Sequence, residues 1–138
     1  MITFNTLLEG FELKNPENLK DWLKEIISEN NKLLGAIVYV LAEDTYLHKI
    51  NKDFLNHDTL TDIITFETSV DPSVISGEIF ISIDRVKENA INQNQLFEKE
   101  LARVLAHGVL HLIGYDDKTS EQKLTMRAKE DYCLNLLP

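Results

Sequence analysis

Residues 107 to 117 leave the chain little conformational choice. They read His-Gly-Val-Leu-His-Leu-Ile-Gly-Tyr-Asp-Asp. On a helix His107 and His111 stand about 40° apart around the axis, so both imidazoles can aim at one point. Gly114 falls where such a helix can stop, because glycine enters left-handed backbone without steric penalty. Three residues further on, past a turn, Asp117 supplies a carboxylate. The stretch therefore predicts a helix, its end and a return that converges three metal-competent side chains. Three protein ligands leave one coordination position open for water, as catalytic rather than structural zinc sites do. A helical His pair alone is as readily two half-buried structural histidines. The glycine and the carboxylate at these offsets favour the metal reading.

The remaining segments predict what that helix packs against. Ile2 to Leu7 alternates as a first or edge strand. Glu17 to Lys32 carries Leu19, Trp22, Leu23, Ile26 and Ile27 at helical spacing, an amphipathic helix that Gly35 should break. Ala36 to Leu41 is continuously apolar and rich in β-branched residues, hence a buried strand. Asp44 or Thr45 can cap a helix through Tyr46, Leu47, Ile50, Phe54 and Leu55 that ends near Asn56. A polar loop, 56–62, leads into a short strand at 63–66. A loop at 68–76 precedes a strand over 77–83. Asp84 is placed to cap a helix to about Asn92, a second helix runs from Leu96 to Ile113, and Thr119 or Ser120 starts a last one through about Leu136. No repeat, linker or low-complexity tract interrupts this order, so residues 1–138 are expected to form one domain. The expected fold is α+β, a mixed four-stranded sheet with about five helices packed on it and the metal helix central.

Composition narrows the functional classes. A chain of 138 residues with one cysteine, Cys133, can bury a core without disulfides and fits a reducing compartment. No signal peptide and no apolar run near the ~20 residues needed to span a bilayer are visible, so a cytoplasmic location is expected. The formal charge of −9 argues against indiscriminate nucleic-acid binding, which rests on neutralising phosphates, but leaves room for a local basic groove.

The spacing of the two histidines resembles the metzincin peptidases, His-Glu-x2-His-x2-Gly-x2-His. The glutamate that serves those enzymes as general base is Gly108 here, and the third ligand is Asp117 rather than His, so peptide hydrolysis is the weaker expectation. A non-haem iron centre has the right two-His, one-carboxylate ligand set but no further support. A much closer resemblance is to the YbeY-type metallo-endoribonucleases, with the signature His-Gly-x-Leu-His-Leu-x-Gly-Tyr-Asp-His. This chain departs from it only at the last position, Asp117. Upstream, Ile50-Asn51 and Thr61-Asp62-Ile63-Ile64-Thr65-Phe66 resemble the family's Leu-Asn and Thr-Asp-Val-Leu-Ser-Phe segments, and Gly77-Glu78-Ile79 its Gly-Asp-Ile strand. The resemblance implies an α+β fold, a zinc site at His107, His111 and Asp117, and cleavage of single-stranded RNA. It also implies small-subunit ribosomal RNA and the ribosome's small subunit as partners, in maturation and quality control.

Two departures qualify what is carried over. Asp117 in place of His removes one unit of positive charge, which weakens the metal as a Lewis acid and lets harder ions such as Mn²⁺ compete better. Asp116 is the adjacent alternative ligand, more simply a cap of the turn. The Arg that commonly follows the Leu-Asn pair and faces RNA aligns with Leu55, which cannot pair with a phosphate. With no side-chain base apparent, hydrolysis by a metal-activated water and attack by the RNA's own 2′-hydroxyl both stay open. His57 and Arg103 are further candidates for phosphate contact, against the plainer expectations of an exposed loop histidine and a salt-bridged arginine. His48 reads as surface, Tyr115 as packing under the turn, Phe54 and Phe66 as core, and Met126 and Cys133 as core of the last helix. A non-enzymatic ribosome-associated metal protein is the main competing reading.

Overall fold

A computed structural model describes all residues, 1–138. Four strands and five helices follow one another as β1 (Ile2–Thr6), α1 (Pro16–Glu29), β2 (Leu33–Ala42), α2 (Asp44–Leu55), β3 (Ile63–Glu67), β4 (Val74–Ser82), α3 (Ile83–Asn92), α4 (Phe97–Ile113) and α5 (Ser120–Leu136). The strands form one mixed sheet in the order β1-β2-β4-β3. β1 and β4 flank β2 in parallel, and β3 runs antiparallel to β4 at the other edge. The α+β architecture and its five helices are those the sequence predicts.

β2 is central because nothing along its second half tolerates water. Ile37, Tyr39, Val40, Leu41 and Ala42 are all buried, as a strand covered on both faces requires. The main core joins Ile37, Tyr39 and Leu41 to Trp22, Leu23, Ile26 and Ile27 of α1 and to Leu101, Leu105, Val109 and Leu110 of α4, while Ala42 packs in a smaller cluster with Leu47 and Ile64. Tyr39 is fully buried, and its hydroxyl donates to the carbonyl of Leu105 at 2.7 Å, fixing strand to helix. Met126 and Cys133 bury the inner face of α5.

Several boundaries move, each for a local reason. α1 stops at Glu29 rather than Lys32, because Asn30 turns its side-chain amide onto the carbonyl of Ile26 at 2.8 Å and Asn31 takes a left-handed φ of 58°. Gly35 does not break a helix. It sits inside β2, where a Cβ would lie 2.0 Å from Ser76 Oγ and 2.9 Å from Val74 Cγ1, so only glycine allows this approach to β4. That contact also extends β4 back to Val74, into the stretch expected as loop. Ser82, not Asp84, caps α3, its Oγ accepting from Arg85 N at 3.2 Å. Asp84 Oδ2 instead accepts from the backbone N–H of Asp44 at 3.0 Å, and so completes the first turn of α2 from across the fold.

α4 lies unusually close to the sheet, and two glycines allow it. A Cβ on Gly108 would fall 2.9 Å from Ile79 Cδ1 and 3.2 Å from Ile63 Cδ1. One on Gly77 would meet Phe66 O at 2.6 Å and Leu112 Cδ2 at 2.8 Å. The glycine inside the helix, which costs about 1 kcal/mol against Ala, thus has its packing reason. Gly77→Ala must displace backbone as well as Leu112 and is expected to lower unfolding free energy by about 1–3 kcal/mol, read from urea denaturation.

Candidate metal centre and cleft

α4 ends as its sequence requires, with Gly114 at φ 128° and its N–H bonded to the carbonyls of Leu110 and His111. The turn brings Asp117 back over the helix face carrying the two histidines. Asp117 Oδ2 lies 3.3 Å from His107 Nε2 and 3.4 Å from His111 Nε2. The imidazoles meet edge to face, centroids 4.5 Å apart, and one donor atom from each of the three residues falls within 4.8 Å of the others. Adjacent donors on a tetrahedral ion with bonds of about 2.0–2.1 Å stand roughly 3.3 Å apart. The spacing therefore suits one small divalent cation. Asp116 is exposed and belongs to a separate surface pocket beyond Gly114, away from the two imidazoles. Tyr115 packs against the core with Lys129 over its ring, as a residue under the turn should.

A fourth residue sets the direction of this group. Glu130 of α5 is buried and places Oε2 2.7 Å from His107 Nδ1. A carboxylate there holds the proton on Nδ1 and leaves Nε2 as the free donor facing Asp117. Glu130 Oε1 accepts from Arg103 Nη1 at 3.0 Å, and Arg103 Nη2 reaches Asp131 Oδ1 at 2.8 Å. Arg103 is only 12% exposed, so of its two expected roles the salt bridge is the one found: its guanidinium is spent on α5. Burial works to lower the pKa of His107, yet the hydrogen bond to Glu130 and the charges of Glu130, Asp117 and Asp62 outweigh it and hold the imidazole above its usual value.

The three donors line a cleft of about 810 Å³ between α4 and the 56–62 loop. Asn51 is buried beneath that loop and donates from Nδ2 to Thr59 O at 2.9 Å, while His48 Nε2 lies 2.7 Å from Asp58 Oδ1. His48 thus ties the loop to α2, a role its sequence context does not reveal. His57 and Leu55 both line the cleft, and His57 is exposed. Phe66 packs on Phe80 at 5.9 Å, but Phe54 is 73% exposed and not core. A helix end without a neighbouring element over it leaves that ring in water, and periodicity cannot foresee which turn goes uncovered.

The cleft is acidic. Five carboxylates (Asp62, Glu67, Glu100, Asp117, Glu130) line it against two arginines, Arg103 and Arg127. Burial pushes the Asp62 carboxyl above its usual range, against the pull of His107. Burial does the same to Glu100, against Arg103. Glu130, Asp62 and Glu100 escaped the sequence reading. A faint signal exists for two of them: Glu130 shares a helical face with Met126 and Cys133, and Glu100 one with Val104 and His107, so each is a charge inside an otherwise inward-facing stripe.

A mixed α+β domain with two imidazoles and a carboxylate converging at the floor of an open cleft defines a class, the single-domain proteins built to hold one divalent ion within reach of a substrate. The comparisons with known proteins make this specific. The endoribonuclease YbeY family pattern matches residues 8–138. An endoribonuclease YbeY from Flavobacterium johnsoniae is 51% identical over 131 residues, covering 95% of this chain and 93% of the relative. One from Porphyromonas gingivalis is 41% identical over 139 residues, covering 99% and 91%. A solution structure of a Thermotoga maritima protein superposes with a TM-score of 0.69 at 31% identity, covering 99% of this chain and 89% of that one. The chain belongs to the endoribonuclease YbeY family.

The network around Glu130 has a measurable weight. Glu130→Ala strips the inner partner from an arginine that is nearly buried, and is expected to lower stability by roughly 3 kcal/mol in urea titrations with chelator present. Glu130→Gln, which keeps shape and one acceptor, should lose less.

Proposed function

We propose that this protein is a metal-dependent endoribonuclease that cuts single-stranded RNA, with His107, His111 and Asp117 as its metal ligands. The observation that carries the reading is the convergence of those three donor atoms within 4.8 Å of one another in the cleft, Asp117 lying 3.3 and 3.4 Å from the two imidazoles, in a chain of this family. Zinc fits the nitrogen-rich donor set and the donor spacing best. A divalent ion held there supplies Lewis acidity at the scissile phosphate.

The chain's own side chains do the rest. Glu130 fixes the tautomer and direction of His107, and Arg103 holds Glu130 in place. Gly108 has no side chain to act as a base, which counts against peptide hydrolysis. Arg127, half-exposed on α5 and loosely held 4.0 Å from Glu130, is the cleft's available cation for phosphate. Leu55 and Leu60 are exposed in the cleft's lining and offer apolar contact to unpaired bases. That arrangement favours single strands, whose bases are free to leave the stack. The substrate in the cell is ribosomal RNA of the small subunit, in maturation and quality control, and the site of action the cytoplasm. No helix is long and apolar enough to cross a membrane. Leu55, where an RNA-facing Arg is expected, and the net charge of −9 are the observations on the side of a non-catalytic ribosome-associated protein.

The deciding experiment is cleavage of a labelled single-stranded RNA by metal-loaded protein beside His111→Ala. The variant is expected to lose cleavage while keeping its circular dichroism spectrum, and chelation of the wild type to do the same with recovery on adding Zn²⁺. Equal trace cleavage by both proteins would overturn the reading. Metal loading also carries a pH signature. The proton on His107 competes with the ion, and its pKa lies above the usual ~6.5. Zinc affinity, measured against a chromophoric chelator, should therefore fall on acidification starting above pH ~6.5. In Glu130→Gln the fall should begin at lower pH, while affinity at neutral pH drops by about 10–100-fold.

A further inference from the structure

Glu100 is a buried side chain on the cleft wall that the fold leaves without a partner. The residue is 4% exposed, and its Oε1 is shut away with no hydrogen bond. It precedes His107 by seven residues, which turns an α-helix to within about 20° of two full turns. Glu100 therefore looks along the same face as the metal-site histidines, about 10 Å further down the axis. An unpaired buried carboxyl costs folding free energy, which the charges of Arg103 and Arg127 offset in part and no hydrogen bond within the chain recovers. A ligand entering the cleft can.

The neighbouring groups say what kind of ligand. Asn89 of α3 donates its Nδ2 to Asp62 at 3.2 Å, which leaves its amide oxygen as an open acceptor. Asp62 and Glu100 both line the cleft as carboxyls. Arg103, one turn from Glu100, is committed to Glu130 and Asp131, and Arg127 attracts Glu100 through space without a hydrogen bond to it. The open hydrogen-bond valences at Glu100, Asp62 and Asn89 are thus acceptors, which suit N–H donors. Cytosine and adenine present an exocyclic amino group, and guanine presents two adjacent donors. Uracil offers a single N–H between two carbonyls.

We propose that Glu100, with Asp62 and Asn89, forms a nucleobase subsite beside the metal centre that selects amino-bearing bases over uracil. It rests on the reading of the cleft as an RNA site. Ten ångströms of helix places it within about three stacked nucleotides of the cut.

Two readouts test it. The metal-loaded full chain is given a random single-stranded RNA pool, and the new ends are sequenced. Uracil is expected to be depleted about tenfold at one fixed position within three nucleotides of the cut, the size of one hydrogen bond. Glu100→Gln, which exchanges an acceptor for a donor, should flatten that bias to below about twofold, and Asn89→Ala should reduce it in part. Separately, fluorescence anisotropy compares oligodeoxycytidine with oligodeoxyuridine, neither a ribonuclease substrate, on wild type and both variants. The cytidine oligomer should bind tighter only where Glu100 is intact. If RNA is not cut yet this Glu100-dependent difference appears, the subsite stands and the ribonuclease reading fails. Cutting without positional bias, a bias unchanged in Glu100→Gln, or equal binding of both oligomers would overturn the subsite alone. So would loss of one equivalent of bound metal in Glu100→Gln, which would make Glu100 a cation ligand. If Glu100→Gln does not fold, Asn89→Ala decides, and an unchanged bias there overturns the proposal.

Discussion

A carboxylate carried into the interior by α5 organises both the packing and the chemistry of this molecule. Glu130 is almost fully buried, a position an ion holds only with its lone pairs answered. α4 answers twice, with Arg103 on one oxygen and His107 on the other. Docking the last helix and aiming His107 Nε2 at Asp117 are therefore one interaction. Asp131, a residue further along, holds the other edge of the same guanidinium and keeps it from swinging into the cleft. An arginine that sequence alone could assign to substrate is used up in this way, and a histidine with two equivalent-looking nitrogens acquires a single outward donor.

The second constraint is the close seat of α4 on the sheet. Gly108 against Ile79 and Ile63, and Gly77 against Leu112, remove the side-chain thickness that normally separates helix from strand. The metal-binding face is left looking across at the 56–62 loop, which Asn51 and His48 hold in place from α2. The cleft between them is an unusual surface for a polyanion. Of its two arginines Arg103 is engaged by α5 and Arg127 is only loosely held, against five carboxylates. A chain of net charge −9 has little long-range attraction to offer RNA.

The parts of this architecture that could be read from the sequence are those set by local periodicity. The helix of His107 and His111, its stop at Gly114, the return to Asp117, the buried run of β2 and the capping box of Thr119 and Gln122 all depend on residues within a few positions of one another. The misreadings share a different cause. Gly35 looks like a breaker until Ser76 of β4 is brought against it, and Asp84 looks like the cap of its own helix until α2 offers a needier N–H. Phe54 looks like core until no neighbour arrives to cover it.

Sequence by itself determined which atoms are able to bind a metal, because two imidazoles and a carboxylate spaced along one helix and turn converge under short-range geometry. It also determined the α+β class, through runs whose apolar period admits few alternatives. Only the tertiary structure decided which nitrogen of His107 faces Asp117, that Arg103 is spoken for, and that Glu100 lies on the cleft wall without a hydrogen-bond partner. Those outcomes depend on contacts between residues tens of positions apart. No local pattern encodes them, since the energy of a buried charge is fixed by whichever groups the whole chain folds around it.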